Sequence, residues 1–226
     1  MKFTFSQLFE RVLSIPKSLF VSLHYFPLKE ALKLPIMVRY NCQLIKLRGC
    51  IKIVNGGGKT GLLSLGFHTV GIFDKKYERC SIQMEGCIKL YGKASFGQGC
   101  RICIGKDGCL SIGENFFATA NFTIICMKRI LLGNDILASW DSIIMDTDFH
   151  KTVNLNTNSI SNNTEKIIIE DNVWIGMRCT VLKGSSIPKG CIIAANSVLC
   201  KKFVQQNCLL AGNPAILKRA NITIKR

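Results

Sequence analysis

From Ile169 to Leu199 an apolar residue returns at every sixth position: Ile169, Ile175, Val181, Ile187, Ile193 and Leu199. Four residues after each of the first five stands a compact side chain, Val173, Cys179, Ser185, Cys191 and Ser197, and a small residue or turn-former directly follows several, at Gly176, Pro188 and Ala194. A half-buried strand repeats at two and an α-helix at 3.6, so a sustained six excludes both as the repeating unit. Each hexad instead contributes one short strand and one corner, and three hexads close a flat-sided coil whose apolar positions point into a shared prism. The spacing recurs upstream through Leu90, Phe96 and Ile102, then Ile104 and Leu110, then Ile112 to Ile130, then Leu132, Ala138 and Ile144, with the phase slipping by two. Ile112-Gly113 and Leu132-Gly133, twenty residues apart, read as one coil plus a two-residue bulge at a corner.

The fold class that follows is an all-β solenoid of parallel strands with a short helical segment before it. With 226 residues, 48% of them apolar and 19% charged, the chain has enough apolar material for a continuous core. Residues 1–41 read as a helical N-terminal cap. Phe5, Leu8, Phe9, Val12 and Leu13 follow helical spacing, which predicts an amphipathic helix ending near Pro16 and a second helix from Leu28 to about Leu34. Lys2, Arg11, Lys17, Lys29, Lys33 and Arg39 outnumber Glu10 and Glu30 there, so peripheral contact of residues 1–40 with an anionic membrane is the alternative to a cap on the coil. Residues 42–203 read as the coil, interrupted by a loop at about 146–166, and residues 204–226 as a C-terminal extension. No run approaches the ~20 apolar residues of a membrane span and no cleavable signal is visible. The expected location is therefore cytoplasmic, or peripheral to a membrane.

A net charge of +16 calls for an acidic partner, but no basic motif interleaved with aromatics supports nucleic acid. The twelve cysteines lie within apolar repeats and read as reduced core residues. Cys100 and Cys103 form a C-x-x-C without a second pair, and His24, His68 and His150 are scattered, so no metal site is expected. The run Asn55-Gly56-Gly57-Gly58-Lys59-Thr60 lacks the spacing of a phosphate loop and precedes strand-like residues, so it reads as a turn.

Between Ile144 and Ile169 the hexads give way to Met145-Asp146-Thr147-Asp148-Phe149-His150-Lys151 and an asparagine-rich run. A loop inserted into a rigid coil is where chemistry is commonly mounted, and His150 lies on it beside Asp146 and Asp148. Together with Ile169-Glu170-Asp171-Asn172-Val173-Trp174-Ile175-Gly176, Ala194-Ala195-Asn196-Ser197-Val198 and Ala211-Gly212-Asn213-Pro214-Ala215, this loop makes residues 82 to 219 resemble the hexapeptide-repeat acyltransferases. The branch it is most similar to is that of maltose and galactoside O-acetyltransferases and their relatives in polysaccharide biosynthesis.

The resemblance implies a left-handed parallel β-helix, a homotrimer, and acetyl-coenzyme A held between neighbouring subunits as the donor for a glycan or nucleotide-sugar acceptor. It gives His150 the place of the general base and Asn121 that of a residue contacting acceptor or oxyanion, with stacking at a corner as the alternative for Asn121. It sets Trp174 along the pantetheine arm beside Gly176, and Ala194 and Ala195 where backbone groups meet the pantetheine amides. It makes Lys201, Lys202, Lys218 and Arg219 the cations for the coenzyme phosphates. Cys126, Met127 and Met177 depart from the sugar-specific enzymes, which argues against a galactoside or maltose acceptor, and the asparagine-rich loop and basic N-terminal segment point instead to a larger or membrane-associated glycan. The competing readings are a non-catalytic β-helix scaffold and a three-histidine metalloenzyme on the same coil.

Overall fold

A computed structural model describes residues 5–74 and 76–225; Lys2, counted above, lies outside them. Three parallel sheets form the faces of a prism. The first runs from the strand Ile36–Val38 to Cys208–Gly212 and ends on an antiparallel strand, Ala215–Ala220; the second runs from Gln43–Leu47 to Val198–Leu199, and the third from Cys50–Ile53 to Ser186–Ile187. The architecture is a left-handed parallel β-helix of hexapeptide repeats.

The hexad residues form the columns of its core. In the first sheet Val38, Leu65, Phe96, Ala118, Ala138, Ile175, Ile193 and Leu210 stack in register. Ile82, Ile102, Ile124, Ile144, Val181 and Leu199 do so in the second. All are buried, as are Val173, Cys179, Ser185, Cys191 and Ser197. The two-residue slips fall at the corner joining the second and third sheets, where Cys126 is followed by the turn 127–128 before the strand Arg129–Leu132.

The corners explain the asparagines. Gly99, Asn121, Asp141, Arg178 and Asn196 stack at the corner between the first and second sheets, all with φ between +51° and +72°. Asn115, Asp135, Asn172, Gly190 and Asn207 do the same at the corner between the third and first sheets. This left-handed conformation is least costly for glycine and asparagine, which is why those types recur there.

At the N-terminus the structure departs from the sequence reading. Helix α1 spans Phe5–Leu13, but a second helix, α2, runs Ile15–Tyr25 with Pro16 in its first turn, and α3 is only Leu28–Ala31. Proline is tolerated there because the first helical N–H groups have no intrahelical acceptor. The coil already starts at Ile36, inside the segment expected as cap, and residues after 203 return to the first sheet.

Ser14, just before α2, and Ser18 and Ser22 on its buried face stand four residues apart. Ser18 Oγ donates to Val38 O (3.2 Å) and accepts from Val38 N (3.0 Å). Ser22 Oγ donates to Ile36 O (3.3 Å), and Ser14 Oγ accepts from Tyr40 N (3.0 Å). The hydroxyls thus satisfy the outer edge of the first strand, which would otherwise be an open template for pairing. No helix among the described residues is long and apolar enough to cross a membrane.

Candidate active site

Two loops interrupt the coil, each at a corner. Residues 66–80 leave the corner between the first and second sheets, and residues 146–166 the corner between the second and third. The root of the second loop is clamped by Asp146, whose fully buried carboxylate accepts the N–H groups of Met127 (2.7 Å), Lys128 (2.8 Å) and Arg129 (2.6 Å). These are the donors of the turn the sequence reads as a bulge. Asp148 pairs with Lys183, which also donates to Asn162 O (2.7 Å).

Beyond this root the chain forms an exposed finger, closed by bridges Thr147 to Thr164 and Val153 to Ile160. His150 lies on the finger, fully in the exposed stretch, with its own N–H on Asp148 O (2.7 Å). Phe149 before it has φ +59°, so the backbone bends sharply as it enters the finger.

The first corner carries the remaining candidates. Trp174, about one-third exposed, donates its indole N–H to Ser139 Oγ (3.2 Å) and lines a cleft of about 410 Å³ with Trp140, Gly176, Met177, Ala194 and Ala195. A Cβ on Gly176 would lie 2.7 Å from Ile193 O and 2.8 Å from Ala195 N, so only glycine lets adjacent coils close on the cleft. Ala194 donates its N–H to Leu210 O (2.9 Å) and accepts from Cys179 Sγ (3.0 Å). Ala195 is exposed and makes no main-chain hydrogen bond among the described residues, so of the two alanines it has the free backbone groups.

Asn121 stands lower on the same corner. Its conformation is that of the asparagine column, its N–H meets Gln98 O (2.8 Å), and its Oδ1 is buried without a partner. Corner stacking therefore accounts for its backbone and leaves one buried amide oxygen unmatched.

The four cations do not form one cluster. Lys201 and Lys202 follow the last strand of the second sheet, Lys201 over the Phe203 ring (5.4 Å) and Lys202 4.0 Å from the Glu165 carboxylate beside the finger's root. Lys218 and Arg219 lie on the exposed strand Ala215–Ala220 of the first sheet. The chain crosses to another face between the two pairs, a separation invisible in a tally of basic residues. Cys100 is buried in the core while Cys103, three residues on and so on the opposite face of the strand, is half-buried; the two thiols diverge and cannot chelate together.

One residue was passed over by sequence reasoning. His68, on the 66–80 loop, lines a cavity of about 160 Å³ with Thr69, Phe117 and Thr119, and its ring meets Phe117 edge-on (4.9 Å). Burial, then the positive charges of Arg11 and Lys93, pushes its pKa down. The available signal was the break in the hexads between Leu65 and Cys80, the counterpart of the break that singled out His150.

Within one chain, then, His150 stands at one corner and the Trp174 cleft, Asn121 and His68 at another. Residues 166–201 match the model of the bacterial transferase hexapeptide family, described as six repeats. The chain is similar to WbbJ of Escherichia coli (strain K12), provisionally named a lipopolysaccharide biosynthesis O-acetyl transferase, at 26% identity over 151 residues, 63% of this chain and 76% of WbbJ. It is similar to the galactoside O-acetyltransferase of Lactococcus lactis subsp. lactis (strain IL1403) at 31% identity over 116 residues, 51% of this chain and 54% of that protein, so it spans about half that relative's length. Among solved structures the polySia-specific acetyltransferase NeuO superposes with a TM-score of 0.52 over 84% of this chain and 74% of its own, at 21% identity, a likeness of fold. The resemblance to the hexapeptide-repeat acyltransferases is borne out.

Proposed function

We propose that this hexapeptide-repeat chain is an O-acetyltransferase that moves an acetyl group from acetyl-coenzyme A to a hydroxyl of a sugar or surface-glycan precursor. The observation that carries the reading is the division of the candidate residues between two corners. A cyclic trimer sets one corner of each chain against a different corner of the next, a head-to-tail contact that closes. The finger with His150 from one chain then covers the Trp174 cleft of its neighbour. The outward face of the second sheet fits such an assembly, because Ile125 stacks on Met145 there, with Leu182 following on the next coil, and Ile143 and Val198 flank Thr180 in the neighbouring column.

In this arrangement the pantetheine arm lies along Trp174, its amides meet the free backbone groups of Ala195, and Gly176 leaves the slot open. The imidazole of His150 accepts the proton of the acceptor hydroxyl as its oxygen attacks the thioester carbonyl. The tetrahedral intermediate collapses, the C–S bond breaks, and the imidazolium returns the proton to the departing coenzyme thiolate. Of the four cations, the Lys201/Lys202 pair lies on the finger's side and the Lys218/Arg219 pair on the cleft's sheet, so phosphate contacts come from one pair or from two chains. The polar finger, with its run from Asn154 to Asn163, favours an extended glycan over a free disaccharide.

The test is release of free thiol from acetyl-coenzyme A in the presence of a panel of glycans and nucleotide sugars, with sedimentation of the same sample. Acceptor-dependent thiol release from a trimer is the expected result. A monomer at micromolar concentration, or no release above buffer with any acceptor, would count against the reading.

A further inference from the structure

The serine face of α2 already seals the end of the coil, and α1 lies against it on its polar side, through Glu10 on Arg39 and Arg11 over Phe67. None of its apolar side chains is buried. Phe5, Leu8, Phe9 and Val12, at helical spacing, are each more than half exposed, and Phe20 of α2 and Leu28 and Leu32 at α3 are as well. An exposed apolar patch on this scale marks an interaction surface. We propose that this end of the molecule seats on an anionic lipid bilayer, with the apolar face of α1 and the projecting leucines of α3 inserted at the headgroup boundary.

Charge selects the lipid over an apolar protein partner. Glu10, the acidic residue of α1, is turned inward onto Arg39, with Nη2 to Oε1 at 2.9 Å and both side chains largely buried. The pair cancels itself and takes negative charge off the face of the helix. Among the described residues of the three helices, what remains is basic: Lys29 and Lys33 are exposed beside Leu28 and Leu32, and Lys17 is half-buried, against Glu30. An apolar helical face with a basic border is the pattern of an interfacial helix on anionic lipid. Because the coil axis runs away from this end, the two corners with His150 and Trp174 stay in water when it is docked.

The test uses the full chain with vesicles of phosphatidylcholine alone and of phosphatidylcholine containing roughly 30% phosphatidylglycerol. Co-sedimentation with the anionic vesicles is expected, at least tenfold weaker with the neutral ones and weakened by salt. Leu8→Glu combined with Phe9→Glu should cost a further tenfold or more, with the melting curve and lipid-free sedimentation coefficient unchanged, since both side chains are more than half exposed. Lys29→Glu with Lys33→Glu should abolish the preference for anionic lipid. Failure to bind either vesicle, or unchanged binding by the Leu8/Phe9 variant, overturns the proposal. So does a fall in that variant's sedimentation coefficient, which would assign the apolar face to a second copy of the chain.

Discussion

Two individually inactive variants should restore each other, and the amount restored follows from the geometry. His150→Ala spoils the finger, and Ala195→Trp fills the 410 Å³ cleft, which lies at a different corner. Each alone should retain at most about 1% of turnover, given the 10²–10⁴ that general-base catalysis supplies and the loss of the coenzyme slot. When the two are co-expressed with different tags and purified through both, each mixed trimer contains both kinds of chain. Going round a ring of three, the step from an intact finger to an intact cleft occurs once, whether the ratio is two to one or one to two. One site in three is then built from two sound halves, and about one third of wild-type turnover should return. The assay is thiol release at saturating acetyl-coenzyme A, with each doubly tagged sample checked for trimer mass. If His150 and the cleft of the same chain formed the site, every site would carry a defect and no activity would return. Recovery no greater than that of the separate variants would refute the two-corner assembly even if both singles were dead.

Four further outcomes are expected. His150→Ala should lower kcat by about two to four orders of magnitude while coenzyme affinity by calorimetry stays nearly unchanged, because the proposed coenzyme contacts come from Trp174, Ala195 and the cations rather than from the imidazole. Asp146→Ala should destabilise the fold by about 2–4 kcal/mol in denaturant unfolding, since it strands three N–H donors at the finger's root, and a neutral result would mean water replaces the carboxylate. Because burial lowers the pKa of His68, the unfolded chain binds more protons as pH falls; stability should therefore decline below about pH 6.5, and less so in His68→Phe, as followed by melting temperature. Exposed Cys200 should react with a thiol reagent at pH 8 well before the core thiols, whose burial pushes Cys80 up to about 11 and Cys42 up to about 12, a sequence readable by mass spectrometry of the labelled peptides.

Much of the coil was legible because an inward residue on a short strand has to be apolar, and stacked coils force that requirement to recur at a fixed interval. Ile169 to Leu199 announce the prism by themselves, and the break after Ile144 marks the place of the finger. The stretch before Leu90 was harder to read, although Leu63 and Leu65 are as buried as any later hexad. The 66–80 loop falls within that stretch and hides its phase, and His68 was lost with it. Pro16 misled for a local reason: a proline that ends one helix can equally open the next, and only the burial of Ser14, Ser18 and Ser22 against the first strand decides between them. Asp146 stands beside His150 in the sequence, yet its carboxylate is consumed by three backbone donors from the coil before. That contact joins residues nearly a coil apart in sequence, and no local pattern records it.

The sequence by itself determined the repeat, the core columns, the interrupting finger and the residue types a coenzyme slot requires, since each is a property of neighbours along the chain or of a fixed period. The tertiary structure alone decided which corner each candidate occupies. Corner identity depends on the accumulated number of residues per coil, which shrinks from 22 between Phe96 and Ala118 to 20 between Ala118 and Ala138 and 18 between Ile175 and Ile193. A drift of two residues shifts every later side chain relative to the faces unless a corner absorbs it. The turn capped by Asp146 does so, holding the columns in register, and thereby places His150 and Trp174 on different edges of the prism.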